Sequence, residues 1–554
     1  MLRPAAEQLP RARRLGAGRD PAPPPGVLPG VTGFAVRVGR GGDPVGPPPG
    51  GARLAALGQR RRFELEAGPL AWSGVALLGA PGGEPASTPG GGPAVPPGAG
   101  PVAGPGTGWP VARANRAALL FAGELYNHDE LAAALGEDAA AGADDADLVL
   151  ACWLRYGVAT FRLLNGRYAA ILSDGPVLVA ATDHAGGVPL HVRTSAPGSA
   201  RPWVQAATEA KALAAGDPGA GPAPRRVAAG TALVVDLVSR DARWRVVRTW
   251  APPLARRIVP PDDAVAAVRD RLERAVRTRA AGEPTVVISG GIDSGVVAAV
   301  TVAARGSVRT VSLGTDVADE FDAARAVAAH LGTAHRELTV PAEQLVGELP
   351  WAVWAAECSD PDVLEYLLPL VALYRRLDGG PLRILTGYGA DIPLGGMHRR
   401  AQRLGALDEA IAADMNSFDG LGEMAPALSG VAGHWSTHPF WDRDVLDLLV
   451  ALEPGLKRRA GQDKWVLREA FADLLPAVTV RRAKLGIHEG SAVTGTWSRL
   501  LRAAGVRARD VPAAKQAAAR RLYERLVLGD ARPDEITLDA VVGRDATVRP
   551  GRPA

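Results

Sequence analysis

The sequence predicts a two-domain α/β protein. After a start rich in Arg, Pro and Gly, the first half carries short alternating strands with two main helices between them. The second half alternates apolar strands with helices, and that order predicts a parallel sheet with helices on both faces. The proline pairs Pro252-Pro253 and Pro260-Pro261 bracket a predicted linker between the halves.

The composition suits a globular protein with more than one core. The chain has 554 residues, of which 47% are hydrophobic and 22% are charged. Its net charge of +4 is small, and the sequence has no cluster of basic residues interleaved with aromatics. We therefore expect no nucleic-acid partner. With only Cys152 and Cys358 there is no disulfide framework, so we expect a reducing cytoplasmic location. The sequence shows neither a signal peptide nor an uninterrupted apolar run of about 18 residues. We therefore expect no membrane partner.

Composition and periodicity divide the chain into four segments. Residues 1–30 have no periodicity and are expected to be a disordered tail or the result of a misplaced start codon. Residues 31–255 form the predicted first domain, in which a Gly/Pro tract from about residue 80 to 110 is expected to be a mobile surface loop. Residues 256–528 form the predicted second domain, and residues 529–554 are expected to be a C-terminal tail.

The strand Thr285–Ile288 runs into a turn with the chemistry of an anion site. The turn reads Ser289-Gly-Gly-Ile-Asp-Ser294. Its glycines let backbone amides approach a ligand, its serines supply hydroxyls, and the following helix adds a positive dipole end. The common phosphate loop Gly-x-x-x-x-Gly-Lys-Ser/Thr is not in the sequence. An ordinary strand-to-helix turn is the alternative interpretation.

Two aspartates follow predicted strands at the same edge of the parallel sheet. Asp293 begins the helix after the turn, and Asp391 follows the strand that ends at Thr386. Either aspartate alone would be interpreted as a helix cap. Together beside an anion loop they predict a Mg²⁺ site.

The turn resembles the pyrophosphate loop of the ATP pyrophosphatases, which split ATP into AMP and pyrophosphate. This resemblance implies an adenine nucleotide alpha hydrolase-like fold for the second domain, with many helices. It also implies that ATP is held by the turn, by adjacent strand residues and by one lysine. The implied ATP-binding residues are Val287, Ile288, Ser289, Gly290, Gly291, Asp293, Ser294, Leu313 and Lys464. For Val287, Ile288 and Leu313 a place in the sheet core is expected at the same time.

The first domain resembles glutamine amidotransferases of the N-terminal-nucleophile type, which implies an αββα fold. The matching segments are Gly123-Glu-Leu-Tyr-Asn127, Asn165-Gly-Arg-Tyr168, Ala181–Leu190 and Thr208-Glu-Ala-Lys211. Active members begin with a cysteine whose own amine is the base. Here Leu2 follows Met1, and Cys152 lies in a helical pattern, so we expect no ammonia release from glutamine. An autoprocessed Thr32 is the alternative nucleophile.

The segment Gly387-Tyr-Gly-Ala-Asp-Ile-Pro-Leu-Gly-Gly-Met397 resembles the β-lactam synthetases of clavulanic acid biosynthesis, within the asparagine synthetase superfamily. Asparagine synthetases usually carry Glu at the position of Tyr388. The likeness continues through segments 360–369, 414–423, 434–442, 463–468 and 484–491. Two departures are the Asp-Ser-Gly ending of the anion loop and one residue inserted between Tyr388 and Glu423.

This resemblance implies a role for each residue that matches the family pattern. Tyr388 is the implied base, Glu423 its partner and Lys484 the stabiliser of the oxyanion. The implied substrate-binding residues are Tyr366, Gly387, Gly389 and Asp414. Asp414 matches the position that binds a guanidinium group. Only five of the 63 basic residues are lysines, which favours a specific role for Lys484 and, less strongly, for Lys464.

The sequence therefore predicts an ATP- and Mg²⁺-dependent ligase that forms AMP and closes a β-lactam. Its implied small-molecule substrate is a carboxyethylarginine-like β-amino acid. One alternative is a glutamine-independent asparagine synthetase-like amide ligase or peptide cyclase. Another is an inactive scaffold that binds a nucleotide. A homodimer is the oligomer that we consider.

Overall fold

The structure is a computed structural model. It describes residues 31–40, 54, 59–78, 111–136, 143–195, 199, 202–214, 222–237, 244–398, 403–417, 426–483 and 490–543. The predicted tail at residues 1–30 and the predicted loop around residues 80–110 lie outside the described residues.

Two six-stranded antiparallel sheets form the first domain. Sheet order is β10-β8-β9-β1-β3-β2 in one and β12-β11-β7-β6-β5-β4 in the other. Their strands are β1 Val31–Arg40, β2 Gln59–Ala67, β3 Leu70–Leu78, β4 Val111–Ala114, β5 Ala117–Leu125, β6 Gly166–Asp174, β7 Val177–Thr182, β8 His191–Thr194, β9 Trp203–Ala207, β10 Arg225–Arg226, β11 Thr231–Asp236 and β12 Arg245–Arg248. The sequence did not lead us to expect β2, β3, β8 or β9, because the exposed arginines of β2 and the short length of β8 and β9 weaken the strand pattern.

Alternation along the strands places one core between the two sheets and a second core beneath helices. Phe34 and Trp72 from one sheet pack with Leu120 and Ile171 from the other. The opposite face of the second sheet packs on helices through residues such as Leu119. The helices of this domain are α1 His128–Leu135, α2 Asp145–Tyr156, α3 Thr160–Leu163 and α4 Lys211–Ala214.

A five-stranded parallel sheet organises the second domain, in the order β15-β14-β13-β16-β17. Its strands are β13 Thr285–Val287, β14 Arg309–Thr315, β15 Ala334–Val340, β16 Arg383–Thr386 and β17 Trp435–Thr437. A two-stranded hairpin, β18 Arg458–Arg459 and β19 Gln462–Asp463, precedes Lys464. The predicted two-domain α/β architecture, with the parallel sheet in the second domain, is therefore present.

Many helices surround this parallel sheet. They are α5 Pro261–Arg279, α6 Ile292–Arg305, α7 Phe321–Leu331, α8 Ala342–Gly347, α9 Leu349–Ala356, α10 Pro361–Arg375, α11 Asp391–Leu394, α12 Leu404–Ser417, α13 Pro426–Gly430, α14 Arg443–Ala451, α15 Pro454–Lys457, α16 Trp465–Ala470, α17 Ala477–Arg481, α18 Val493–Ala503, α19 Val511–Tyr523 and α20 Leu538–Val542. In the described ranges, no helix is both long and apolar enough to cross a membrane.

The segment after Leu528 differs from the expected tail. Residues 538–542 form α20, and Val541 and Val542 are buried in the core of the second domain. The helix begins with Thr537, whose hydroxyl accepts a hydrogen bond from the Ala540 backbone. Five residues are too few for a helical period to be recognised in the sequence, so this packing could not be predicted.

Parallel register brings the chemistry-bearing turns together. Val287, the last residue of β13, pairs with Thr386, the last residue of β16. The turns that follow these two strands therefore leave the sheet side by side, at its carboxyl edge.

Candidate active site

The anion loop is held by its own hydroxyls and by a very close packing contact. The Ser294 hydroxyl accepts a hydrogen bond from the Ser289 backbone at 3.1 Å, and the two side-chain oxygens lie 3.3 Å apart. Gly290 has a φ of +71°, and a Cβ there would lie 2.4 Å from the Ala323 carbonyl carbon. A larger residue would therefore deform the loop. Arg482 donates to the Ser289 carbonyl at 3.2 Å.

Asp293 and Asp391 both contact the Lys464 ammonium group. The Lys464 Nζ lies 2.5 Å from Asp293 Oδ2 and 2.7 Å from Asp391 Oδ1. The helix-cap interpretation is wrong for both aspartates, because α6 and α11 begin without a side-chain cap. The structure brings together three of the sequence-predicted residues in a buried charged cluster.

The two carboxylates fit a magnesium ion. Oxygen ligands from one or two carboxylates, completed by phosphates, are the usual protein environment of Mg²⁺ with nucleotides. The Lys464 side chain is 2% exposed and supplies positive charge to the same carboxylates. Within the described ranges, no group of three or more His, Cys, Asp or Glu side chains is arranged to hold a metal, so phosphate oxygens would have to complete the coordination shell.

Gly387 joins the anion loop to the Tyr388 turn. A Cβ on Gly387 would lie 2.3 Å from the Ser294 backbone nitrogen, so the two turns touch through their main chains. The Tyr388 backbone donates to the Thr386 hydroxyl at 3.2 Å. The backbone of the Tyr388 turn thus lies directly beside the candidate ATP loop.

Aromatic rings surround the Tyr388 side chain. Its ring lies 5.8 Å from that of Tyr366 and 5.8 Å from that of His438. The His438 Nδ1 is 2.7 Å from the Thr386 hydroxyl oxygen. Tyr366 was expected as a pocket wall, and the structure places its ring beside that of Tyr388. The contributions of Thr386 and His438 were missed, although His438 lies in the segment 434–442 that carried the family resemblance.

Gly389 provides space for a tryptophan beside the Tyr388 turn. Its φ is +95°, and a Cβ would lie 1.6 Å from Trp441 Nε1. No side chain fits that space without moving Trp441. Gly389 therefore shapes the turn and the adjacent pocket.

Asp414 lies on α12 and contacts a histidine. Its Oδ2 is 2.7 Å from His398 Nε2, and the two side chains are 33% and 29% exposed. The Asp414 carboxylate is therefore neither fully buried nor fully solvent-facing. A guanidinium group would have to share this carboxylate with His398.

The residues expected to surround adenine lie where the sheet pattern put them. Ile288 is buried and donates its backbone N–H to the Val311 carbonyl at 2.9 Å. Val287 and Leu313 are half-buried on neighbouring strands. Glu423 and Lys484, by contrast, lie outside the described residues.

The two residues considered as nucleophiles of the first domain, Cys152 and Thr32, lie within its regular secondary structure. Cys152 is buried on α2 in the core beneath the second sheet, and burial raises the pKa of its thiol to about 11. Thr32 lies within β1, where its hydroxyl donates to the Leu77 carbonyl at 3.4 Å. A thiol with a raised pKa is a poor nucleophile near neutral pH.

Two family models agree with this architecture. The glutamine amidotransferase domain model matches residues 106–242, and the asparagine synthase model matches residues 267–429 and 428–531. A solved glutamine phosphoribosylpyrophosphate amidotransferase from B. subtilis, complexed with ADP and GMP, is 14% identical. It covers 68% of this chain and 79% of its own, with a TM-score of 0.27.

Two curated relatives differ strongly in similarity. The carboxyethyl-arginine β-lactam synthase of Streptomyces clavuligerus is 54% identical over 437 residues, which is 76% of this chain and 83% of that protein. A glutamine-hydrolysing asparagine synthetase from Oryza sativa subsp. japonica is 26% identical over 377 residues. That match covers 63% of this chain and 61% of the plant protein.

Fold, loop and matches together define a class: a two-domain, ATP-using ligase of the asparagine synthetase family. Within that family, the chain belongs to the β-lactam synthetases. The predicted family and the predicted enzyme class are both confirmed.

Proposed function

We propose that this protein converts a carboxyethyl-arginine-type β-amino acid into a β-lactam in two steps on one parallel-sheet edge. The observation that supports the proposal is the close approach of the Gly387 and Ser294 main chains, which brings the backbone of the Tyr388 turn against the anion loop. The name and 54% identity of the Streptomyces clavuligerus relative supply the substrate class.

In the first step, a carboxylate oxygen of the substrate attacks the α-phosphorus of ATP and pyrophosphate leaves. The loop from Ser289 to Ser294 is suited to hold the phosphates, because its amides and hydroxyls are hydrogen-bond donors and α6 begins there. Lys464 adds a fixed positive charge beside that loop. An acyl-adenylate is the product of this step.

Asp293 and Asp391 are the residues that would hold Mg²⁺. When bound, the ion would neutralise charge that develops on the phosphate oxygens. The aspartates lie in the first turns of the helices that follow two adjacent strands, so the sheet helps to fix their separation. Lys464 orients both carboxylates toward one point.

In the second step, the substrate amine attacks its own acyl carbon. A carbon–nitrogen bond forms, the carbon–oxygen bond to AMP breaks, and the amine loses a proton. Tyr388 is the proposed acceptor of that proton, assisted by Glu423, while Lys484 stabilises the oxyanion. A free phenol has a pKa of about 10, so it needs such assistance at neutral pH.

Holding both ends of one substrate lowers the entropic barrier to ring closure. Effective alignment of reacting groups is worth up to about 10 kcal/mol. Tyr366 forms one wall of the pocket, and Asp414 is the proposed partner of the substrate guanidinium. His398 would give up part of its contact with Asp414 when the substrate binds.

A competing proposal of the same enzyme class is amide synthesis from free ammonia or an external amine. The tyrosine that stands at position 388, where asparagine synthetases usually carry Glu, weighs against it. A non-catalytic nucleotide-binding scaffold is the proposal of another class. Convergence of Asp293, Asp391 and Lys464 beside the Tyr388 turn weighs against that scaffold.

One assay separates the three proposals. The protein is incubated with ATP, Mg²⁺ and carboxyethylarginine, and products are followed by mass spectrometry and pyrophosphate release. We expect AMP, pyrophosphate and a product one water lighter than the substrate. A linear amide formed only with added ammonia would favour the amide ligase, and no pyrophosphate with any amino acid would favour the scaffold. A substrate without the guanidinium group should be used less efficiently.

A further inference from the structure

The amidotransferase-like domain grips the end strand of the synthetase sheet at three consecutive residues. Three of its side chains are involved: Glu124, Tyr126 and Arg167. Glu124 Oε1 accepts a hydrogen bond from the Trp435 indole at 2.9 Å. Arg167 donates to the Ser436 carbonyl, and Tyr126 Oη lies 3.0 Å from Thr437 Oγ1. Together these partners make up the whole of β17.

The Tyr126 hydroxyl connects the grip into one network. It donates its single proton to the Glu124 carboxylate at 2.9 Å, since a carboxylate can only accept. Thr437 must therefore donate to the Tyr126 oxygen. The ring of Tyr126 is held in turn by Arg279, whose guanidinium carbon lies 3.4 Å from the ring centroid.

Glu124 also fixes the neighbouring strand β16. Its second oxygen lies 2.8 Å from the Arg383 guanidinium, and the two side chains are 12% and 9% exposed. Burial alone would raise the pKa of Glu124, but the Arg383 charge and the bonds from Trp435, Arg383 and Tyr126 lower it below its usual value. The carboxylate is therefore ionised at neutral pH, which strengthens each bond that it accepts.

The strand β17 is linked to Tyr388 through contacts of His438. His438 follows Thr437, its Nδ1 lies 2.7 Å from Thr386 Oγ1, and its ring packs on the Tyr388 ring. Thr386 in turn accepts the Tyr388 backbone N–H. Contacts thus run without interruption from the first domain to the Tyr388 side chain.

Packing alone does not fix this region. A small cavity of about 20 Å³ lies between the domains, and its lining includes Tyr126, Arg167, His438 and Trp441. Side chains beside a void are located by their directional bonds more than by close packing. The hydrogen bonds to β17 therefore restrain the side chains that line this cavity.

We propose that Glu124, Tyr126 and Arg167 are positioning residues for ring closure, and that the first domain acts by holding β17 and His438 against Tyr388. This inference rests on the proposed role of Tyr388. It gives the amidotransferase-like domain a role that needs no nucleophile. The first step is expected to depend less on this grip, since its loop follows β13, which β16 separates from β17.

The sharpest test is Tyr126→Phe, which removes one hydroxyl and keeps the ring beneath Arg279. Tyr168→Phe is the matched control, because Tyr168 is also buried in this domain but stacks on Phe121 and Phe161 in the core beneath the helices. Adenylation is measured by pyrophosphate exchange into ATP, and closure by lactam formation. We expect Tyr126→Phe to lower the ratio of closure to exchange roughly 5-fold, with Tyr168→Phe unchanged.

The pH profile supplies a second readout. If the grip positions Tyr388, closure by Tyr126→Phe should show a displaced alkaline limb, whereas exchange should not. An equal fall in closure and exchange, or an equal response of both variants, would overturn the proposal. Should Tyr126→Phe fail to fold, Trp435→Phe removes the indole bond to Glu124 and is judged by the same ratio.

Wild-type protein keeps this inference separate from the proposed function. Absence of lactam from the wild type would refute the function itself. Lactam from the wild type with an unchanged closure-to-exchange ratio in Tyr126→Phe would refute only the positioning role.

Discussion

Tyr388 lies beside the ends of two neighbouring strands, β16 and β17. Its backbone is tied to Thr386 at the end of β16, while its ring packs against His438 just beyond β17. A phenol held in this way keeps its orientation without relying on the substrate. That restraint suits a group that must accept a proton at one moment of the reaction.

Replacing Tyr388 should separate the two steps. Tyr388→Phe keeps the ring contacts with Tyr366 and His438 but removes the proton acceptor. We expect pyrophosphate exchange within about 3-fold of wild type and lactam formation slower by about 100-fold or more. Rapid-quench measurement of acyl-adenylate and lactam checks this. Unchanged lactam formation would remove Tyr388 from the mechanism.

The burial of Lys457 makes the stability of the fold depend on pH. It is fully buried at the end of α15 and donates to the Val450 carbonyl at 3.1 Å. Its pKa is lowered to about 7, mainly by burial; the nearby Arg256 charge also lowers the pKa, and the Asp408 charge opposes this by a smaller amount. The folded protein therefore binds this proton less tightly than the unfolded chain.

Lys457→Met should change how stability depends on pH. Between pH 7 and about 10 the unfolded chain holds a proton that the folded protein lacks, so this lysine makes stability rise with pH. The wild-type advantage should grow relative to the variant by about 2 kcal/mol from pH 7 to 9. Melting temperatures at both pH values check it, and parallel curves for the two proteins would contradict it.

Lys515→Met is the matched control for that experiment. The Lys515 ammonium is also buried, but it contacts the buried Glu365 carboxylate. Removing it leaves a buried carboxylate without its cation, so we expect destabilisation at neutral pH.

The sequence indicated the place of a residue best where that place depends on the residue's own element. Asp293 and Asp391 could be placed because strand ends converge in any parallel sheet, and Lys464 because of the family pattern. Thr386, His438 and Glu124 could not be assigned, because their roles depend on which strand lies beside β16 and which domain covers it. No spacing in the sequence encodes those neighbours.

At the scale of elements, two adjacent parallel strands create the site. β13 carries the anion loop and β16 carries the Tyr388 turn, with Val287 opposite Thr386. The strand–helix alternation predicted β13 to β16 closely, from Thr285–Val287 to Arg383–Thr386. β17 has three residues, and its own pattern was too short to be recognised as a strand.

The turn after β16 should tolerate no side chain at Gly389. Gly389→Ala would place a methyl group against Trp441 at a φ of +95°, so we expect a loss of about 2 kcal/mol or more and a severe loss of activity. Gly347→Ala on α8, where a Cβ meets nothing within 4 Å, is the control and should be neutral or stabilising. Thermal melting and turnover are the measurements; equal behaviour would contradict this account of the turn.

The magnesium proposal also belongs to these strand ends. Asp391→Asn removes one charge from the pair that converges on Lys464, so half-maximal activity should require roughly 10-fold more Mg²⁺. Asp378→Asn, at an exposed ion pair with Arg336, should leave the requirement unchanged. Activity measured across a Mg²⁺ titration decides, and identical curves for both variants would contradict the assignment.

For the whole molecule, the two domains are joined through buried charged groups. Within the second domain, Arg279 Nη1 lies 2.9 Å from Asp442 Oδ2, and Asn165 of the first domain donates to the same carboxyl group at 3.1 Å. Lys211 of the first domain donates to the Trp354 carbonyl at 2.8 Å. Breaking one buried ionic contact leaves a charge without compensation, so the domains are expected to act as one unit.

The two-domain architecture followed from composition and alternation, but the contact between the domains did not. Periodicity places a residue on a face of its own element and gives no partner for that face. The pairs Glu124–Arg383 and Asn165–Asp442 join residues more than 250 positions apart, so only the folded chain identifies them.

The central claim is that one carboxylate is activated by ATP and then captured by an amine of the same molecule. Carboxyethylarginine labelled with heavy oxygen in the reacting carboxylate tests it most directly. We predict one heavy oxygen in AMP and the other in the carbonyl of a cyclic product. Heavy oxygen that stays wholly in the organic product, or appears in pyrophosphate, would contradict the account.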